Sequence, residues 1–361
     1  MMDKSRFKFS PPKILYLLSY LFFVLIIGIS CTGYPTKPEN PIGYKILFMN
    51  QKVGNESEIS LINENGLNLK YLVSTTATYE KPVWSTDGNK IAYILDSPYG
   101  YQIYIMNSDG TDQHRLNFLD IYCHNPVLSP DGSKIAFISN FEGNDNIYSV
   151  NPDGSEFRRL TSNDEWYNNS PSWSPDGNRI VFNRRIEGYP ETSEIYVMNK
   201  FGANLQRLTF NNTYDYQPSW SPDGSKIVFT SYPDGLNENI FIINSDGTNE
   251  KQLTNHPYSD NSPLWSPDGR HILFEYNSQI WIMKSNGSYQ RPLTFWPGYN
   301  FNPNWSPDGH KIVFQSSRDE ENINYSSSKL YIMNANGTGQ KRLTDSQFNE
   351  VYPSFSPVPM Y

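Results

Sequence analysis

Residues able to do chemistry crowd into short stretches of this chain. PSWSPDGSKIVFTS (218–231) sets Ser221, Asp223 and Lys226 close together beside Trp220. A hydroxyl near a carboxylate and an amine is the material of a nucleophile with its acid and base. SNDEWYNNSP (162–171) pairs Asp164 with Glu165, and Asp215 stands between Tyr214 and Tyr216. Two carboxylates on either side of a sugar linkage would suit a glycosidase. The five histidines, at 114, 124, 256, 271 and 310, are candidate metal ligands. Each of these readings depends on the elements that hold the residues.

The Ser-Asp-Lys stretch recurs. PVWSTDGNKIAYI begins at Pro82, PVLSPDGSKIAFIS at Pro126, PSWSPDGNRIVFN at Pro171, PLWSPDGRHILFEY at Pro263 and PNWSPDGHKIVFQS at Pro303. A shortened copy, PSFSPVPMY, starts at Pro353. Downstream of each full copy runs a second element, as in QIYIMNSDG (102–110), EIYVMNKFG (194–202) and KLYIMNANG (329–337). RRLT, QRLT, KQLT or KRLT often follows. The period is about 45 residues.

Each period holds four short apolar runs separated by turn signals, the pattern of a four-stranded antiparallel blade. The strands are termed a (PSWS), b (KIVF), c (IYIMN) and d (RLT). Runs b and c are almost continuously apolar, as strands covered on both faces are. The pattern predicts an all-β fold, a seven-bladed β-propeller, with six blades as the alternative count. The first b-c-d set, at 44–73, lacks an a strand, and the last a strand, at Pro353, lacks a b strand. Joining them closes the ring with the C-terminal strand and leaves nothing over for another domain.

Repetition also reinterprets the turn. In Ser-Pro-Asp-Gly the Pro fixes φ, the Asp bonds local backbone N–H groups and the Gly supplies positive φ. A catalytic Ser or Asp is expected once, so these residues are read as hairpin chemistry. The Trp of strand a, repeated at one register, is read as packing.

The in-register repeats across residues 44–361 resemble those of the TolB family of WD-repeat-like propellers. That resemblance implies a bacterial envelope location and a periplasmic interaction module. The chain departs from the family pattern in having only a short spacer before the propeller, and in counting seven blades where TolB has six.

Residues 1–30 form a basic segment and an apolar segment (14–30), the arrangement of a signal peptide. Gly28-Ile29-Ser30-Cys31 resembles a lipobox, which makes Cys31 the lipidated first mature residue. An uncleaved signal anchor is the other reading. Residues 31–43 are then the lipidated Cys and a Pro-rich spacer, and 44–361 the propeller. Without the basic leader, 25 basic residues face 36 acidic ones, a formal −11. Such a body argues against nucleic acid as a partner. Cys123 is the only other cysteine, so no intrachain disulfide is expected with Cys31 acylated.

On a propeller the a–b and c–d turns share one rim and the d–a and b–c loops the other. The d–a and b–c loops vary, as recognition loops on a rigid scaffold do. The d–a loops lead into the innermost strands and nominate Tyr79, Glu80, Tyr122, His124, Trp166, Tyr167, Tyr214, Asp215, Tyr216, Tyr258, Asp260, Trp296, Tyr299, Phe301, Glu350 and Tyr352 as partner-binding residues at the channel mouth. Aromatics mixed with carboxylates suit a peptide segment or a sugar chain.

No catalytic set is expected. Propellers of similar type are fused to serine peptidases, but no G-x-S-x-G elbow occurs here. Oligogalacturonate lyases are similar propellers with a His-held metal, but only His124 and His256 fall on the variable rim, in separate blades. No cofactor or metal is implied. The reading is a monomeric, non-catalytic, lipid-anchored envelope lipoprotein, periplasmic or surface-exposed, that binds an envelope protein or peptide segment. Its membrane contact is through the lipid alone. The alternative is a propeller that binds or cleaves polysaccharide.

Overall fold

A computed structural model describes residues 43–52, 56–76, 81–97, 100–116, 122–162, 166–186, 192–211, 213–233, 235–319 and 327–360. The signal segment, Cys31, Tyr79, Glu80, Asp164 and Glu165 lie outside them. The described chain folds as seven four-stranded antiparallel sheets, each in the order a-b-c-d. No helix among these residues is long and apolar enough to cross a membrane.

Blade 1 comprises Val83–Trp84, Lys90–Ser97, Gly100–Asn107 and His114–Arg115. Blade 2 comprises Cys123–Leu128, Ile135–Ser139, Asn146–Val150 and Arg158–Arg159, and blade 3 Trp166–Trp173, Arg179–Ile186, Glu194–Asn199 and Gln206–Arg207. Blade 4 is Asp215–Trp220, Lys226–Ser231, Asn239–Asn244 and Lys251–Gln252, and blade 5 Asp260–Trp265, His271–Tyr276, Gln279–Lys284 and Arg291–Pro292. Blade 6 is Asn300–Trp305, Lys311–Ser316, Lys329–Asn334 and Lys341–Arg342. Blade 7 joins the two ends of the described chain: Asn349–Phe355 supplies strand a to Lys45–Gln51, Glu56–Asn63 and Lys70–Thr76. Phe355 pairs with Ile46 and Glu350 with Asn50, so the predicted closure and the count of seven both hold.

The core is distributed between blades. Seven apolar clusters fill the seven blade interfaces. The interface of blades 3 and 4, for example, holds Val181, Ile195 and Leu208 against Trp220, Ile227 and Phe229. Strand b is apolar on both faces because each face meets a neighbouring blade. Ile227, Val228 and Phe229 are all fully buried, and each such side chain stabilises the fold by about 1.5–3 kcal/mol. Strand-a tryptophans cross these interfaces. Trp173, Trp220 and Trp265 donate Nε1–H to the carbonyls of Val127, Ser172 and Ser219 in the preceding blade, at 3.2–3.3 Å.

The Ser-Pro-Asp-Gly turn is fully occupied by its own hydrogen bonds. Ser221 Oγ donates to Asp223 Oδ1 (2.6 Å) and accepts from the Lys226 N–H (2.9 Å). Asp223 Oδ1 accepts the Ser225 N–H (3.0 Å), and the Gly224 N–H closes the turn on the Ser221 carbonyl (2.8 Å). Gly224 sits at φ +69°, and an added Cβ there would meet Pro175 of the preceding blade's turn at 3.7 Å. Gly177, Gly269 and Gly309 stand the same way on Pro130, Pro222 and Pro267. The motif therefore builds both the hairpin and a ring of turn-to-turn contacts.

Candidate functional site: the loop rim

The d–a loops deliver the chain to the innermost strands, and strands a of neighbouring blades touch one another around the axis. Each strand a of blades 2–7 carries a bulge, where its register with strand b shifts. The residue before the strand's proline takes positive φ there: Asn125, Ser170, Gln217, Ser262, Asn302 and Tyr352, at 49–55°. A bulge re-aims the chain. Here it frees inner N–H groups for side chains of the preceding blade. Glu275 accepts the Asn302 N–H (2.7 Å) and Gln315 Oε1 the Tyr352 N–H (3.0 Å).

The nominated aromatics among the described residues are exposed or partly exposed, and Tyr352 packs against the apolar cluster of blades 7 and 1. Tyr122 (38% exposed) lies between Tyr101 and His124, its ring tilted against theirs at 5.0 and 5.7 Å. Tyr258 is 60% exposed and leans on Tyr276, and Trp296 is 54% exposed and meets Tyr299 edge-on at 5.4 Å. Tyr214 and Tyr216 lie 5.3 Å apart, and the Tyr216 hydroxyl donates to Glu238. Trp166 and Tyr167 are partly exposed and carry arginines: Arg184 over Trp166 at 4.6 Å and Arg185 over Tyr167 at 4.4 Å. Phe301 is partly exposed, opposite Gln315 on strand b.

Three nominated carboxylates do not line the mouth. Asp215, Asp260 and Glu350 are essentially buried at the start of strand a. The alternation of strand a explains this, since it turns Tyr214 and Tyr216 one way and Asp215 the other. Asp215 accepts from Asn211 Nδ2 (3.0 Å) and Thr213 Oγ1 (3.1 Å). Asp260 binds His256 Nδ1 at 2.8 Å. Glu350 accepts the Leu330 N–H (3.0 Å) and the Thr344 hydroxyl. Burial pushes all three carboxyls above the usual range.

The final Thr of the RLT run belongs to the same network. Thr161, Thr209, Thr254 and Thr294 each accept a strand-c N–H at 2.9 Å, from Ile147, Ile195, Ile240 and Ile280. Glu350 and these hydroxyls thus satisfy backbone N–H groups at the opening of strand c, while Asp215 and Asp260 are held by side chains.

Other polar residues at this rim escaped the sequence reading. Burial raises Glu275 to about 7, against its single bond from the Asn302 N–H. Burial also raises Glu194 to about 7, against bonds from Thr209 (2.7 Å) and Arg207 (2.5 Å). Both end apolar runs, Glu275 at the close of strand b and Glu194 at the opening of strand c. A polar residue breaking such a run was the available signal.

Among the described residues no three His, Cys, Asp or Glu side chains stand together as a metal site. His124 lies 3.6 Å from Asp145 and His256 pairs with Asp260, in blades 2 and 5. A cleft of about 720 Å3 occupies the opposite rim between blades 4 and 5. Its walls include the hydrogen-bonded turn residues Ser221, Asp223 and Asp268.

The chain matches the family model for the TolB beta propeller domain over residues 36–235 and 216–357. TolB from Acinetobacter baumannii is 22% identical, with a TM-score of 0.55, covering 86% of this chain and 82% of its own. An oligogalacturonate lyase from Vibrio parahaemolyticus is 16% identical, with a TM-score of 0.61, covering 88% and 92%. The β-propeller domain of the Trilobed protease from Pyrococcus furiosus is 14% identical, with a TM-score of 0.64, covering 84% and 94%. At these identities the structural likeness is one of fold.

Proposed function

The chain belongs to the TolB beta propeller domain family, and from that premise we propose that it is a non-catalytic protein-binding platform of the bacterial cell envelope. The observation that carries this reading is a division of labour between rims. The repeated Ser, Asp and Trp residues are consumed by turns and blade contacts, while seven of the eleven exposed aromatics among the described residues stand on the irregular loops; Tyr71, Phe157, Phe201 and Tyr289 lie on strand d or on c–d turns. Phe210 (75% exposed), Tyr258 (60%), Phe295 (66%) and Trp296 (54%) stand on d–a loops. Large aromatic side chains at a protein surface are typical anchors for a protein partner. The lipid anchor at Cys31 and the envelope location belong to the same proposal. They rest on the basic-apolar leader and on the family resemblance.

Crosslinking in intact envelopes followed by affinity capture tests the platform. A defined protein recovered with the parent, and lost with Tyr258→Ala/Trp296→Ala, supports it. Recovery of no specific protein, together with retention of a polysaccharide on an array, replaces it with the carbohydrate reading. Cys31→Ser tests the anchor: loss of acylation and of membrane retention supports lipidation, and undiminished retention contradicts it.

A further inference from the structure

Arg184 stands apart from the other rim arginines. It is 6% exposed, and its Nε has no hydrogen-bond partner. No ion pair or hydrogen bond ties its guanidinium to another described residue. Its described contacts are the rings of Trp166 (4.6 Å) and Tyr196 (5.6 Å), which meet edge-on at 6.4 Å. Burying a cation without an acceptor is costly, and native proteins seldom do so without a use for it.

The molecule provides its own comparison. In blade 6, Arg318, two residues beyond the end of strand b, packs over Phe314 and Tyr331 at 5.4 and 4.8 Å. There the guanidinium donates to Ser316 Oγ (2.9 Å), Gln340 Oε1 (2.6 Å) and Asn300 Oδ1 (2.7 Å). In blade 5, His256 packs against Phe274 and Trp281 and finds Asp260. Among the described residues, blade 3 keeps the cation and its aromatic seat but bonds no acceptor to it: Glu194, opposite Arg184 in register, is engaged by Arg207 and Thr209. Its neighbours Arg159 and Arg207 are paired, with Glu142 (2.6 Å) and Glu194 (2.5 Å).

We propose that Arg184, seated on Trp166 and Tyr196, is the docking point for a single carboxylate carried by a peptide segment of the partner protein. The inference rests on the platform reading and names the chemistry of one contact within it. A guanidinium packed on ring faces keeps its in-plane N–H donors at its periphery, and they match a carboxylate bidentately. Residues 158–207 hold six of the twelve arginines together with six carboxylates, so the attraction for an anion lies in the guanidinium of Arg184, unpaired among the described residues, and not in the net charge of the sector. The acidity of the whole repels a polyanion, which favours one carboxylate on a mostly uncharged segment.

The test uses hexapeptides carrying one Glu in an uncharged apolar sequence, their Gln counterparts and a galacturonate trimer, titrated against the full chain. The expected result is binding of Glu peptides at least tenfold tighter than their Gln counterparts. Arg184→Met abolishes that preference with an unchanged or higher thermal midpoint, and Arg184→Lys retains only part of it. Equal binding of Glu and Gln peptides overturns the proposal, as does a preference that survives Arg184→Met. A lowered midpoint in Arg184→Met with peptide binding unmoved assigns Arg184 to internal structure and also overturns it. Arg184-dependent binding of the trimer alone assigns the carboxylate to a sugar. Partner capture in envelopes, repeated with Arg184→Met, separates the two readings. Capture that persists leaves the platform standing and removes this contact.

Discussion

At the residue scale, the repeated carboxylates and the buried ones respond to pH in opposite senses. The turn Asp side chains are held low by local donors. Asp131 falls to about 2, chiefly through Ser129 and then the Ser133 N–H, and Asp87, Asp176 and Asp223 are lowered with their own serines as the first cause. A depressed carboxyl contributes stability above its unfolded value near 4, lost as pH falls through the folded one. Glu275 is raised to about 7, so its effect is full below its unfolded value near 4.3 and is lost as pH rises through 7. Denaturant midpoints of Glu275→Gln are therefore expected to vary less than the parent's between pH 4.5 and 7, and to exceed them at pH 8. An unchanged slope across that window removes Glu275 as the source. Ser221→Ala strips the acceptor from the Lys226 N–H and the donor to Asp223, and is expected to cost about 0.5–1.5 kcal/mol in urea unfolding. These roles were only half legible in the sequence. Repetition marked Ser221 and Asp223 as turn residues. The inward face of Asp215, Asp260 and Glu350 depended on which loop residue begins strand a, and a one-residue change in that start reverses the side-chain face.

At the element scale, two kinds of glycine separate conformation from contact. Gly269, at φ +68°, has its nearest neighbour 3.7 Å from an added Cβ, whereas at Gly202 the Leu160 carbonyl oxygen would lie 2.3 Å away. Gly269→Ala is expected to cost about 1–2 kcal/mol, the left-handed penalty alone. Gly202→Ala adds a clash with backbone and should cost clearly more, measured as the difference in unfolding free energy between the two variants. Trp220→Phe, which loses the bond to the Ser172 carbonyl, should cost about 1 kcal/mol beyond its packing change. The hairpins and their turns could be read from the motif because its signals are local. The strand-a bulges and the seat of Arg184 depend on blade-to-blade contacts, which no single repeat encodes.

At the scale of the whole molecule, ring closure couples the two ends of the described chain. Phe355 is 5% exposed and packs with Ile46, Phe48 and Leu343 at the interface of blades 6 and 7. Phe355→Ala is expected to cost about 3–5 kcal/mol. Removing residues 349–361 should leave blade 7 without its inner strand and broaden thermal unfolding to a less cooperative transition. A truncated chain that melts as sharply and as high as the parent contradicts closure. Counting strands made this joint visible in the sequence, since an orphan strand a and an orphan b-c-d set can be completed only by each other. The central claim is that binding rides on the loop rim while the opposite rim is architecture. Its most direct test is quantitative capture of the envelope partner by two folded variants, Tyr258→Ala/Trp296→Ala on the loop rim and Ser221→Ala/Asp223→Asn on the turn rim. The account predicts that the first loses the partner and the second keeps it. Capture lost only with the turn-rim variant would contradict it.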